Sequence, residues 1–225
     1  MHQTPVPDPQ CFSYIHKFDT RRPDILVRFY LRTGRRIRQA STMARPVHIR
    51  KARPSDAEAI ARIYIEAWQD TYPALLPSRL LLTMTREGQT QRWRNAITIA
   101  ARESVYVAQE ENAGVVAMTS FGRSRDSGFG FDSEIYTLYV DPLRTGLGIG
   151  RALLQGAFGA LSEQKHESCI IWAHAKTPAR FFYEAVGGKL VAERTTNMMG
   201  IPVLEVAFGW RNLALVRTSK TKDLL

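Results

Sequence analysis

Apolar and polar positions change their spacing several times along the chain, and each change predicts an element. Residues 47–51 and 134–140 are rich in β-branched and aromatic side chains, which favours strands. Residues 57–70 place apolar side chains at helical spacing, which predicts a helix. The same criteria predict a second helical region at 77–101, a hairpin of 104–109 and 114–122, a buried strand at 168–173, and a closing antiparallel pair at 189–194 and 202–210. The pattern is that of a mixed α/β protein.

The segment from Tyr139 to Leu154, YVDPLRTGLGIGRALL, joins a predicted strand end to a glycine loop and a helix start. The first N–H groups of a helix have no intrahelical partner and lie at the positive end of the helix dipole, so they attract anions. Glycine lets the backbone approach a phosphate closely, and Arg144 and Arg151 add positive charge. The segment therefore predicts a phosphate site. Its glycines are Gly146, Gly148 and Gly150.

The spacing of these glycines excludes two common phosphate-binding loops. A P-loop requires G-x-x-x-x-G-K-[ST], and Arg-Ala, not Lys-Ser or Lys-Thr, directly follows the last glycine of this loop. A dinucleotide-binding fingerprint requires G-x-G-x-x-G in an N-terminal βαβ unit, whereas this loop reads G-x-G-x-G and lies well past the middle of the chain.

The loop instead resembles the pyrophosphate-binding segment of the GNAT superfamily, the acyl-CoA-dependent N-acyltransferases. In that family a strand ends in V-x-P, and [Q/R]-x-x-G-x-[G/A] opens a helix. Residues 140–142 read VDP and residues 148–150 read GIG. Thr145 stands where the family has Gln or Arg, with Arg144 one residue earlier.

A second segment supports the resemblance. Residues 178–188, PARFFYEAVGG, are similar to the family's N-x-x-A-x-x-F-Y-x-x-x-G-F, in which the Tyr reaches the CoA sulfur. Lys176 stands where the family often has Asn, and Gly188 replaces the usual Phe. The positions that keep the register are Ala179, Phe182, Tyr183 and Gly187.

The resemblance covers residues 47–210 and implies the GNAT fold over that domain. That fold is an α/β (α+β) arrangement with a mixed, mostly antiparallel central sheet of about seven strands. The sheet is splayed at the acyl-CoA site and flanked by about four helices. Acetyl-CoA is the implied co-substrate, and no metal is implied. The cofactor-binding residues implied are Leu138, Tyr139, Val140, Arg144, Thr145, Gly146, Leu147, Gly148, Gly150, Arg151 and Lys176.

Acetylation of an amine needs a base for the amine proton, a stabilised oxyanion and a proton for the departing thiolate. Tyr183 is the candidate general acid, because a phenol with an unperturbed pKa of about 10 is protonated at neutral pH. Glu134, at the start of the splayed strand, is the candidate base, with a solvated strand end as the alternative. Trp68 and Tyr72, at the end of the first helix, are expected to line the acceptor pocket, with core packing as the alternative for Trp68.

Positive charge is concentrated in residues 1–46, which hold nine Lys or Arg against three Asp and so carry +6 of the net charge of +10. Three interpretations of this extension stay open. It is a disordered basic arm that contacts nucleic acid or an anionic surface, a targeting sequence, or a segment ahead of a natural start at Met43. Residues 211–225 are predicted to form a C-terminal tail.

Composition and residue spacing bear on the compartment of the protein and on the presence of membrane spans, disulfides and metal sites. No run of eighteen apolar residues occurs, so no membrane span is predicted. Cys11 and Cys169 lie far apart, which argues against a disulfide and makes the reducing cytoplasm the simplest compartment. No Cys or His spacing suggests a metal site, and His174 at a strand end is expected to be structural. A homodimer stays open.

The acceptor is expected to be the primary amine of a small molecule, and amino acids, polyamines and aminoglycosides all stay open. A protein α-amine or lysine is the alternative acceptor. Two hypotheses come from other classes of protein. One is a non-catalytic acyl-CoA sensor, and the other is a nucleic-acid-binding protein that works through residues 1–46, although nucleic acid is not the expected partner.

Overall fold

Seven strands form one sheet in the computed structural model, which describes residues 46–72, 84–99, 103–198 and 200–218. The strands lie in the order β1-β2-β3-β4-β5-β7-β6. The pair β4–β5 is parallel and all the other pairs are antiparallel. This confirms the predicted mixed, mostly antiparallel sheet. The strands are β1 (Val47–Lys51), β2 (Ser104–Glu110), β3 (Gly114–Arg123), β4 (Ser133–Val140), β5 (Cys169–His174), β6 (Lys189–Met198) and β7 (Ile201–Trp210).

Five helices accompany the sheet in the described part of the chain, one more than the sequence suggested. None of them is long and apolar enough to cross a membrane. The predicted helical region at 77–101 overlaps the second helix, and its residues 77–83 and 100–101 lie outside the described residues. The helices are α1 (Ala57–Thr71), α2 (Arg86–Thr98), α3 (Ile149–Glu163), α4 (Ala179–Ala185) and α5 (Leu213–Thr218).

The helices cover both faces of the sheet. Successive residues of β2 show this, because side chains along a strand alternate between the two faces. Val107 packs in a cluster with Ile60 of α1 and Trp93 of α2. Ala108, the next residue, packs in a different cluster with Leu153 of α3. The helices α1 and α2 therefore lie on one face, and α3 lies on the other.

A fork opens in the middle of the sheet, between β4 and β5. Their pairing runs from Ser133 opposite Cys169 to Ile135 opposite Ile171 and then stops. Beyond that point β4 stays paired with β3, and β5 stays paired with β7. A register shift between Ser120 and Phe121 of β3 accompanies the divergence, as expected for a bulge that bends a strand. The splayed sheet implied by the sequence resemblance is therefore present.

The C-terminal end of the described chain differs from the predicted tail at 211–225. Leu213, the first residue of α5, is 1% exposed and packs in the cluster that contains Phe158 and Leu161 of α3. Its N–H donates to the carbonyl of Glu167 at 2.9 Å. The ordered core thus extends past residue 210, while residues 219–225 and the N-terminal extension up to residue 45 lie outside the described residues.

Candidate active site

The glycine loop between β4 and α3 forms a backbone cradle. Gly146 and Gly148 both have φ +78°, a left-handed conformation that favours glycine. A Cβ added at either position meets no atom within 4 Å, so both face open space. Gly148 is the N-cap of α3, and no side chain caps this helix end. The first N–H groups of α3 are therefore available to an anion, which agrees with the predicted phosphate site.

The two arginines of the loop are held by protein groups. Arg144 donates to Asp141 at 2.8 Å and to Glu110 at 3.3 Å, and both carboxylates are buried. Arg151 donates to the carbonyl of Ala185 at 3.2 Å. Arg144 therefore braces the loop against the neighbouring strands, and its charge is largely balanced by the two acids. Backbone N–H groups are left as the main donors for an anion.

Two cavities flank the fork. We call the first the glycine-loop cavity, which has a volume of about 540 Å³ and lies between β4, the glycine loop and α4. Among the cofactor-binding residues predicted from the sequence, Leu147 and Lys176 do not line it, and neither do Trp68 and Glu134 among the other predicted site residues. Those that do line it are Leu138, Tyr139, Val140, Arg144, Thr145, Gly146, Gly148, Gly150, Arg151, Tyr72 and Tyr183.

The second cavity, which we call the aromatic cavity, has a volume of about 870 Å³. Trp68 and Tyr72, the two residues expected at the acceptor pocket, both line this cavity. Aromatic rings in this cavity pack closely. The ring centroids of Tyr64 and Tyr139 are 5.3 Å apart, and those of Trp68 and Tyr72 are 4.7 Å apart. Burial raises the pKa of Tyr64, Tyr72 and Tyr139, so these phenols are neutral near pH 7. The Tyr and Trp side chains of its lining are Tyr64, Trp68, Tyr72, Tyr136, Tyr139 and Trp172.

The two cavities meet at the fork. A molecule in the glycine-loop cavity can therefore touch a molecule in the aromatic cavity at the point where β4 and β5 separate. This junction is the place where a group can pass from one bound molecule to the other. The residues common to both linings are Tyr72, Tyr136, Thr137, Tyr139, Trp172 and Ala173.

Tyr183 lies on α4 at the wall of the glycine-loop cavity. Its ring packs against Phe182, Phe208 and Trp210, with centroid distances of 5.3, 5.7 and 6.4 Å. Burial raises the pKa of its phenol above the ordinary value. Tyr183 is therefore a proton donor at neutral pH and a weaker acid than a free tyrosine.

Glu134 is buried at the closed end of the fork and is bonded to Arg125. Its carboxylate accepts the backbone N–H of Arg125 at 3.0 Å and the side-chain Nε at 3.1 Å, and it also accepts a bond from Nη2. This pairing raises the pKa of Arg125. Glu134 lines neither cavity, whereas Arg125 lines the aromatic cavity and lies over the ring of Tyr136 at 4.7 Å. One side chain thus separates the candidate base from the aromatic cavity.

Glu205 and His174 line the aromatic cavity and were not identified as site residues from the sequence. Glu205 of β7 accepts a hydrogen bond from Arg194 at 2.9 Å, and Arg194 lies 3.8 Å over the ring of Trp172. His174 accepts the backbone N–H of Lys176 at Nδ1, and burial lowers the pKa of its imidazole. A neutral His174 therefore carries its proton on Nε2 and is a hydrogen-bond donor there.

Comparisons with known proteins agree with the fold. Residues 82–207 match the model of the acetyltransferase (GNAT) domain. The chain belongs to the GNAT family of N-acetyltransferases. An uncharacterized N-acetyltransferase of Bacillus subtilis, YuaI, is 30% identical over 172 residues, which cover 76% of this chain and 97% of that protein. The family confirms the resemblance found in the sequence and makes the chain an acyltransferase enzyme.

Solved structures show the same fold. YncA from Salmonella typhimurium, solved with its cofactor acetyl-CoA, has a TM-score of 0.56 and 22% identity and covers 73% of this chain and 93% of its own. PaiA N-acetyltransferase from Thermoplasma acidophilum, in complex with coenzyme A, has a TM-score of 0.54 and 17% identity. It covers 72% of this chain and 98% of its own. At these identities the likeness establishes the fold.

Proposed function

We propose that this enzyme transfers the acetyl group of acetyl-CoA to the primary amine of a small molecule. The observation that carries the proposal is the fork, where two cavities of different chemistry meet. The glycine-loop cavity offers backbone N–H donors for the phosphates of CoA. Two solved structures of the same fold contain coenzyme A or acetyl-CoA, which supports this ligand. The aromatic cavity holds the amine.

The edge of β4 suits the pantetheine arm. Its residues beyond Ile135 have no ladder partner on β5, so backbone N–H and C=O groups are free for the amides of an extended chain. We assign these bonds to the backbones of Leu138 and Val140, which line the glycine-loop cavity. This arrangement brings the thioester to the fork, where a backbone N–H can polarise the acyl carbonyl.

The reaction then requires two proton movements. The amine nitrogen bonds to the acyl carbon, the C–S bond breaks, the amine proton goes to a base, and the sulfur takes a proton from Tyr183. The pKa of a phenol already lies above that of a thiol, and burial raises the pKa of Tyr183 further, so the phenol stays protonated until the thiolate departs. Its position in the wall of the glycine-loop cavity suits this role.

Replacement of Tyr183 by Phe tests the acid. We expect Tyr183→Phe to lower kcat by about 10²-fold or more, the size of a typical general-acid contribution, with little change in the Kd for acetyl-CoA. Tyr106→Phe is the matched control, because Tyr106 lines neither cavity. Equal losses in turnover and in acetyl-CoA affinity would make Tyr183 a packing residue.

Glu134 is the proposed base, acting through a water or after displacement of Arg125. Glu134→Gln is expected to flatten the acidic limb of the pH–rate profile. Arg125→Gln is the informative partner, because it removes the side chain that is bonded to this carboxylate and lies between it and the aromatic cavity. The acidic limb should then persist, because Glu134 is still present. An acidic limb unchanged in Glu134→Gln would exclude Glu134 as the base.

The function itself is tested with the full chain, acetyl-CoA and a panel of small amines. The expected result is release of free CoA thiol together with an acetylated amine detected by mass. Binding of acetyl-CoA without transfer to any amine would contradict the proposal and favour a non-catalytic sensor.

A further inference from the structure

Charged side chains are unevenly neutralised in the aromatic cavity. Five charged Arg and Glu side chains line it. Two of them are paired with residues behind the cavity wall: Arg125 with Glu134, and Glu205 with Arg194. The other three charged side chains of the lining are Arg92, Arg123 and Glu103.

Arg92 and Arg123 have no carboxylate within 4 Å in the described ranges. Arg92 lies over two aromatic rings, at 5.6 Å from the centroid of Tyr64 and 4.6 Å from that of Trp93. Such stacking fixes the guanidinium plane, and no carboxylate of the described ranges occupies its N–H donors. With Glu103 as the one unpaired acid of the described lining, the cavity presents an excess of positive charge.

Both arginines belong to the lining of the aromatic cavity and connect to residues that the two cavities share. Arg92 contacts Tyr64, whose ring is 5.3 Å from that of Tyr139, a residue common to both cavities. The carbonyl of Arg123 accepts the hydroxyl of Tyr136, another common residue, at 2.6 Å. The guanidinium of Arg92 is thus one aromatic ring away from the junction, and the backbone of Arg123 contacts it directly. One small molecule can place an amine at the fork and an anionic group beside the arginines.

We infer that the acceptor is an amino-acid-like molecule, a primary amine that also carries a carboxylate, with that carboxylate bound by Arg92 and Arg123. The inference rests on the proposed function and narrows its acceptor. Guanidinium groups bind carboxylates through paired hydrogen bonds, and the surrounding rings suit an apolar or aromatic side chain. Polyamines and aminoglycosides fit poorly, because their additional ammonium groups would face the two arginines.

The test compares the twenty L-amino acids with their carboxamides and with putrescine, using the full chain and saturating acetyl-CoA. At least one amino acid should exceed its own amide by tenfold or more in kcat/KM, and putrescine should be a poor acceptor. The comparison is conservative, because an amide has the less basic amine and therefore more of the reactive neutral form. Amides accepted as well as their acids throughout would overturn the inference.

Variants locate the carboxylate site. Arg92→Gln and Arg123→Gln should each raise KM for the preferred acid by about tenfold, the effect of losing a charge-assisted bond, and should reduce the preference for acid over amide. Arg94→Gln is the matched control, since Arg94 lies on α2 and lines neither cavity. Thermal unfolding checks that Arg92→Gln remains folded. A preference unchanged in both cavity variants would overturn the site.

Failure of this inference differs from failure of the proposed function. Acetyl transfer to amines without any preference for the carboxylate would overturn the inference and leave the N-acetyltransferase intact. Transfer to none of the amines, with acetyl-CoA still bound, would overturn both.

Discussion

Gly148 offers a sharp test of the phosphate cradle, because its replacement by Ala separates backbone strain from loss of binding. Gly148 has φ +78° and ψ −1°, and a non-glycine residue in that conformation costs about 1–2 kcal/mol. The added Cβ meets no protein atom within 4 Å. The free energy of unfolding should therefore fall by the strain alone, and Tm should fall by about 3 °C for each kcal/mol.

The chain supplies a matched control in Gly114, at the turn between β2 and β3. Gly114 has φ +71°, and a Cβ there also meets nothing within 4 Å. Gly114 lines neither cavity. Gly114→Ala should therefore lower Tm by a similar amount and leave the affinity for acetyl-CoA unchanged.

Binding should distinguish the two variants. A hydrogen bond to a charged group contributes about 1.5–3 kcal/mol, so the loss of one backbone–phosphate bond at Gly148 weakens affinity about 10- to 150-fold. Calorimetric titration of acetyl-CoA into the full chain measures this, with thermal unfolding of the same samples. If Gly148→Ala and Gly114→Ala bound acetyl-CoA with the same Kd, the glycine loop would not be the phosphate site.

Two further predictions concern stability. The Arg50 guanidinium, which donates to Asp56 at 2.7 and 2.9 Å, holds the pKa of Asp56 below its ordinary value. The ion pair contributes about 1–3 kcal/mol to the free energy of unfolding. This contribution is present above the pKa of Asp56 in the unfolded chain, about 4, and is lost as the pH falls through the lower pKa of the folded protein. In urea unfolding, the stability lost in Asp56→Asn should therefore shrink below about pH 4. In α3, Gly156→Ala places a Cβ 2.6 Å from Cγ2 of Ile49 and should lower Tm, whereas Gly159→Ala meets nothing and should raise stability by about 1 kcal/mol. Stability changes of the same sign in the two glycine variants would contradict the packing.

Local chemistry explains why much of the fold and of the cradle could be predicted from the sequence. The glycine loop is a continuous segment whose positive φ angles and helix start depend on neighbouring residues. Tyr183 follows from a second continuous motif. The family match confirms the fold that these motifs implied. Their chemical roles stay proposals.

The neighbours of Glu134 and Glu205 could not be predicted from the sequence, because they are set by contacts between segments that are separated along the chain. Glu134 forms its ion pair with Arg125 across a turn, and Glu205 faces β5 because β7 inserts between β5 and β6 in the sheet order. A single sequence carries no period or spacing that reveals these neighbours. Leu147 and Lys176 belong to the motifs in sequence, yet neither lines the glycine-loop cavity, because the direction of a loop side chain depends on backbone angles that spacing does not specify.

The helix within the predicted C-terminal tail could not be recognised from the sequence, for a related reason. Six residues form α5, too few for a periodic pattern to distinguish a helix from a tail. Its stability depends on the burial of Leu213 against α3, which is a tertiary contact.

A crystal structure of the full chain with acetyl-CoA would test the role of the fork most directly. The expected result is phosphate oxygens bonded to backbone N–H groups of residues 148–151, with the pantetheine arm along Leu138–Val140 and the thioester between β4 and β5. Acetyl-CoA bound with its thioester away from the fork, or with its phosphates away from the glycine loop, would contradict the proposed site of transfer.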